Sequence, residues 1–183
     1  MDNLPQRKSI RLKDWDYSTA GMYFITICTK DRKNLFWKNA DKNKTEYRKI
    51  SRIRVGAVHE PPENRLSSCG RIVDEIICEL PEKFNIEINE YVIMPNHIHL
   101  LFTIKEERAI RESPLRGKRS VVSKAVGYLK MNSSKKIHYL MPEIDVWQRS
   151  YYDHIIRNEA DYMEKAEYIA NNPANWSTDI YYI

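Results

Sequence analysis

Two short patterns in this chain carry the chemistry that its residue types allow. In the run YVIMPNHIHLLF, His97 and His99 are separated by one residue. On a β-strand that spacing turns both imidazoles to one face, while Ile98, Leu100 and Phe102 turn to the other. Such a strand buries its apolar face in a core and presents two neutral nitrogen ligands on the opposite side. The pair by itself leaves two readings open, a metal site and two histidines packed on a half-buried strand. The second pattern lies near the C-terminus, where Tyr168 and Asn172 stand four residues apart on a helical stretch and share one face with Glu164. Met163, Ala166 and Ile169 form a different stripe, suited to packing on a sheet, which leaves Tyr168 free to face a site. A helical tyrosine also serves as ordinary packing, and spacing does not decide between these roles.

The elements that must position these groups follow from periodicity. YFITICT, from Tyr23 to Thr29, reads as a buried strand, and RIVDEIICEL after Gly70 as a helix stopped by Pro81. Ile86 to Met94 and the run from His97 to Ile104 form a hairpin around Pro95-Asn96. Val121 to Tyr139 is a basic amphipathic helix with the stripe Val122, Val126, Leu129 and Ile137. Val146 to Ile156 is the last strand, and its His154 is either a group behind the site or a packed strand histidine. Asn158 with Asp161 resembles a capping box for a helix from Glu159 to Asn171, which Pro173 follows. The order strand, helix, strand, strand, helix, strand, helix predicts an α+β fold, a small antiparallel sheet with helices packed on it.

A chain of 183 residues fits one domain, here 1–183 with a basic N-terminal arm over 1–20 and an insertion or long connection over 37–66. A further strand is expected near Ile53 to Val58 within that connection. No signal peptide or apolar span is apparent, so no membrane partner and a cytoplasmic location are expected. Cys28, Cys69 and Cys78 are odd in number and lack CxxC spacing, which indicates neither a disulfide framework nor a structural zinc site. The net charge of +5 is segregated: residues 1–54 and 111–140 carry +8 and +7, whereas 55–110 and 141–183 carry −5 each. That distribution suits a polyanion-binding face apart from a cation-holding site, with chance clustering on a solvated surface as the plainer alternative.

The segments SIRLKDWDYSTAGMYFITICTKDR, YVIMPNHIHLLF, VWQRSYYDHIIRNEADY and EYIANNPANW together resemble the REP-associated tyrosine transposases. That family lies within the HUH single-strand nucleases, named for a His-hydrophobic-His motif, here His97-Ile98-His99. The resemblance implies a ferredoxin-like, HUH endonuclease-type sandwich. It further implies that His97, His99 and Asn172 hold a divalent cation, Mg2+ or Mn2+, and that Tyr168 is the nucleophile. The reaction would cut and rejoin single-stranded or hairpin DNA through a 5′-phosphotyrosine. Arg7, Lys8 and Arg11 of the arm, and Arg116, Lys118, Arg119, Lys124 and Lys130 after the hairpin, are the expected DNA contacts. The tyrosine could serve the metal of its own chain or of a partner, in a monomer or a homodimer. Two other readings stand beside this one: a domesticated, non-catalytic nucleic-acid-binding regulator, and a metal nuclease in which water attacks and Tyr168 only packs.

Overall fold

The computed structural model describes residues 19–38, 65–105 and 120–182. Seven principal elements follow in the expected order: β1 (Gly21–Cys28), α1 (Ser68–Phe84), β2 (Ile86–Ile93), β3 (His97–Ile104), α2 (Val121–His138), β4 (Tyr152–Ile156) and α3 (Glu159–Asn171). The strands make one antiparallel sheet in the order β2-β3-β1-β4, so each helical crossover skips a strand and β1 and β3 take the centre. This is the α+β, ferredoxin-like arrangement expected from the sequence. The arm, the possible strand near 53–58 and most of the 37–66 connection lie outside the described residues.

The central strands explain their own composition. On one side Tyr23, Ile25, Ile27, Ile98, Leu100 and Phe102 pack against Val73, Ile76, Ile77 and Leu80 of α1 and Val122, Val126, Leu129 and Ile137 of α2. On the other side Phe24 and Leu101 meet Ile156 and Ile169, and this smaller cluster seats α3. Strands covered on both faces need no polar alternation, which is why YFITI and HIHLLF read as near-continuous apolar runs.

Three expectations are corrected. Helix α1 does not stop at Pro81 but runs to Phe84 and ends on Asn85 in the left-handed conformation, φ 48°. Proline has a helix-compatible φ and costs about 3 kcal/mol inside a helix, and here burial of Leu80 and partial burial of Phe84 hold the last turn. The run from Val146 is not one continuous strand: Tyr152–Ile156 pairs with Met22–Thr26 of β1, Trp147 forms a separate antiparallel bridge with Thr29, and the residues between them are outside the ladder. In the first part of the run the Gln148 N–H donates to Cys28 O at 3.0 Å, Val146 enters the core and Trp147 donates to Ser133 Oγ at 2.9 Å. On α3 the packing stripe is Tyr162, Ala166 and Ile169, while Met163 is exposed. On the histidine face of β3, α3 and the segment after it cover the strand, so that both imidazoles are buried.

Cap chemistry places α3. Asn158 Oδ1 accepts from the Asp161 backbone N–H at 2.9 Å, as a cap should. Asp161 does not complete the box on Asn158; its carboxylate accepts from the Arg157 N–H at 3.1 Å and from His154 Nε2 at 2.9 Å. His154 thus binds β4 to the start of α3 rather than standing behind the histidine pair.

Candidate active site

Strand register sets the first half of the site. His97 lies opposite Cys28 and His99 opposite Thr26 on β1, with both imidazoles turned toward α3. His99 Nδ1 is 2.8 Å from Thr26 Oγ1. His97 Nδ1 is 2.9 Å from Asn96 Oδ1. The orientation of the Asn96 amide is settled by its nitrogen, which donates to the carbonyls of Arg32 at 3.2 Å and Tyr181 at 2.8 Å. Its oxygen can only accept, so His97 carries its proton on Nδ1 and leaves a lone pair on Nε2. The two Nε2 atoms converge at 3.0 Å.

Electrostatics keeps both rings neutral. Burial pushes His99 down to about 3. Burial lowers His97 well below the usual range, helped by His99 and the Arg32 guanidinium. His97, neutral with its proton on Nδ1, is in the form that ligates a metal ion through Nε2; the Nε2···Nε2 hydrogen bond then takes its proton from His99, which ligates once that proton moves to Nδ1, where Thr26 Oγ1 can accept it.

Helix α3 brings the second half. Tyr168 is 38% exposed, and its ring stands edge-on to His99 with centroids 5.0 Å apart. Burial, then the Asp179 charge, push its hydroxyl up to about 12, against a hydrogen bond from Asn172. One turn on, Asn172 is buried and its backbone N–H returns to Tyr168 O at 3.0 Å. Its Nδ2 donates to Asp179 Oδ2 at 3.1 Å, whereas its Oδ1 is buried without a hydrogen-bond partner. A buried amide oxygen left unpaired costs about 1–3 kcal/mol, and a cation would satisfy it. Glu164, which shares the Tyr168 stripe by spacing, is 70% exposed and paired with Lys165. The carboxylate whose charge acts on the Tyr168 hydroxyl is Asp179.

The chain after α3 closes over the histidines. The Tyr181 ring lies 4.4 Å from His97, and Trp176 lies 6.0 Å away. Arg32 holds this segment, donating to Ile180 O at 3.1 Å with its cation 5.3 Å from the Tyr181 ring centre. Arg32 itself has φ 53° and the preceding Asp31 φ 56°, so the turn leaving β1 is in the left-handed region beside the site.

The structure therefore brings Tyr168 beside His99 within one chain, with His97 on the same strand face and Asn172 one helical turn from the tyrosine. Among the expected DNA contacts, Lys124 is exposed on α2, in the layer opposite α3. Lys130 is turned inward, donating to Gln148 O at 2.7 Å and Ser150 O at 2.8 Å. Arg7, Lys8, Arg11, Arg116, Lys118 and Arg119 lie outside the described residues. Sequence reasoning missed Asn96, Thr26, Asp179 and Arg32. Asn96 had a signal, an amide residue next to His97 in the turn; Asp179 had none, since nothing periodic follows Pro173.

A family model described as Transposase IS200 like matches residues 18–172. An uncharacterized protein of Haemophilus influenzae (strain ATCC 51907 / DSM 11121 / KW20 / Rd) is 32% identical over 189 aligned positions, covering 97% of this chain and 93% of that protein. A REP-associated tyrosine transposase of Escherichia coli (strain K12) is 31% identical over 87 positions, 48% of this chain and 44% of that one. The fold is similar to the solved structure of a REP-associated tyrosine transposase bound to a REP hairpin, with TM-score 0.54 and 18% identity over 91% of this chain and 73% of that one. No described helix is long and apolar enough to cross a membrane. With the matched region running from the approach to β1 through to Asn172, the chain belongs to the IS200-like transposase family.

Proposed function

We propose that this transposase cleaves and rejoins single-stranded DNA, with Tyr168 as nucleophile and His97, His99 and Asn172 holding Mg2+ or Mn2+. One observation carries the reading: two neutral, converging Nε2 atoms, a partnerless buried amide oxygen and a half-open tyrosine are assembled on adjoining strand and helix positions. Two nitrogens and one oxygen favour manganese by ligand type, whereas magnesium is favoured by abundance. When bound, such a cation polarises the scissile phosphate and stabilises the departing 3′ oxygen.

The protein groups divide the remaining work. Asn96 and Thr26 fix the two imidazoles through Nδ1. Tyr168 attacks phosphorus in line; its oxygen forms the new P–O bond, the P–O3′ bond breaks, and the products are a 5′-phosphotyrosine and a free 3′ hydroxyl. The phosphodiester energy is retained, so a later 3′ hydroxyl can reverse the step and join strands. The phenolic proton must leave on attack, and 38% exposure of the residue gives it a path to water. Because Tyr168 sits beside His99 of its own chain, we assign the nucleophile in cis.

The substrate is hairpin-bearing single-stranded DNA, a reading supported by the REP hairpin in the similar structure. The basic segments around Arg7, Lys8 and Arg11 and around Arg116, Lys118 and Arg119, with Lys124, supply the phosphate contacts in this proposal. Lys130 is left out of it, since its ammonium is engaged by carbonyls.

The test is denaturing electrophoresis of the protein incubated with Mg2+ or Mn2+ and labelled single-stranded hairpin DNA, beside Tyr168→Phe. A metal-dependent covalent adduct that disappears in the variant is the expected result. Cleavage by Tyr168→Phe without an adduct would replace this mechanism with water attack, and tight binding without cleavage would favour a binding protein.

A further inference from the structure

We infer that Asp179 is the positioning residue of the site, holding the Asn172 side chain in the one orientation that offers its oxygen as a ligand. The inference rests on the metal-site reading above and concerns a residue outside the histidine and tyrosine motifs. A side-chain amide presents oxygen or nitrogen with nearly the same shape, and either end could face a cation. Only the oxygen ligates. A carboxylate has no proton to donate and accepts only, so its contact with Asn172 at 3.1 Å forces the nitrogen toward Asp179 and leaves Oδ1 on the other side, buried and unpaired.

Asp179 is itself held in place. Its Oδ1 accepts from the Tyr181 N–H at 2.7 Å, and its backbone N–H returns to Trp176 O at 3.2 Å. The two carboxylate oxygens thus have separate duties, one toward the backbone of the closing segment and one toward Asn172. This is the outer-sphere relation that Asn96 has to His97, built from a different part of the chain. Outer partners of this kind change metal affinity about 10–100-fold when removed.

The experiment measures Mn2+ binding to the full chain without DNA, by the electron paramagnetic resonance signal of free Mn2+, with circular dichroism and thermal unfolding as folding controls. Asp179→Ala and Asp179→Asn are both made. Asparagine keeps the volume but offers an N–H that can turn the Asn172 amide around, so both variants are expected to bind Mn2+ about 10–100-fold more weakly. The exchange Asn172→Asp/Asp179→Asn restores a donor facing an acceptor and an oxygen free to ligate, and is expected to recover affinity lost in Asp179→Asn. Because Asn172→Asp alone adds an anionic ligand, the double variant is compared with that single variant; tighter binding by the double variant supports the positioning role, and weaker binding would overturn it. Folded Asp179 variants with Kd within twofold of the parent would overturn the inference, provided Asn172→Ala weakens binding. Absence of a stoichiometric site in the parent chain, or one insensitive to His97→Ala, would overturn the metal reading and the inference with it.

Discussion

Replacing Asn96 by alanine separates what the turn residue does for the fold from what it does for the site. Asn96 is fully buried and its φ is not in the left-handed region, so alanine brings no backbone strain. The substitution removes two donated hydrogen bonds, to Arg32 O and Tyr181 O, and the acceptor for His97 Nδ1. An unpaired buried group costs about 1–3 kcal/mol. Arg32 and Tyr181 are partly exposed, so water can reach part of that loss, whereas His97 is sealed. The expected destabilisation is about 2–4 kcal/mol, counting the His97 N–H in full and the carbonyls in part. Freed from Asn96, the His97 ring can also shift its proton to Nε2, which abolishes the ligating lone pair. Mn2+ affinity should fall about 10–100-fold on this account. Asn96→Asp keeps an acceptor for His97 but sets a carboxylate against two carbonyls; it should lose stability while retaining Mn2+ binding. Urea unfolding followed by tryptophan fluorescence, with calorimetric Mn2+ titration of each variant, makes the comparison. If Asn96→Ala bound Mn2+ within twofold of the parent, the link from Asn96 to the His97 lone pair would be refuted.

Three further outcomes are expected. At Gly70 a Cβ would lie 2.3 Å from Phe36 O, a backbone atom that cannot swing aside. Gly70→Ala should therefore cost about 1–3 kcal/mol in thermal unfolding, despite the better helix propensity of alanine. Burial pushes the Lys130 ammonium down to about 8, against the nearby Cys28. Between about 8 and its ordinary 10.5 the unfolded chain holds the proton and the fold does not, so stability rises with pH there. Urea midpoints of the parent relative to Lys130→Met should climb across that window, while the salt dependence of DNA binding stays unchanged between the two; a reduced salt slope would return Lys130 to the DNA face. For Asp161, burial acts to raise the carboxyl, but bonds from His154 and the Arg157 N–H, with the His154 and Lys165 charges, outweigh it and hold the group below its ordinary 3.8. Its stabilisation is complete above that value and is lost as pH falls through the lower folded-state pKa. Acid unfolding of Asp161→Asn should accordingly lack the part of the parent's pH dependence that lies below 3.8.

The element order was readable because each part of the sheet and its helices carries a local pattern. β1 and β3 are apolar runs of strand length, α2 shows its stripe at helical spacing, and the α3 limits follow from Asn158 and the breaker Pro173. Local pattern failed where a neighbour decided the outcome. Pro81 is tolerated because the core buries residues around it, and the Val146 run divides because its two halves pair with β1 and Thr29 in registers that do not join, Thr26 with Tyr152 but Thr29 with Trp147. Met163 has the spacing of a packing residue, yet Tyr162 takes that place against Phe24, Leu101 and Ile156 and Met163 is exposed.

By itself the sequence determined the members of the site that lie within one element: two histidines on one strand face, and a tyrosine and an asparagine one helical turn apart. Strand and helix periods are set by the backbone, so these relations hold wherever the elements go. Only the tertiary structure decided what stands across from them. It brought Tyr168 beside His99, closed Tyr181 over His97, and placed Asp179 rather than Glu164 at the hydroxyl. It also turned Lys130 into a backbone clamp. Those relations join elements far apart in the chain, and they depend on packing of whole layers, for which no local repeat in the sequence provides a signal.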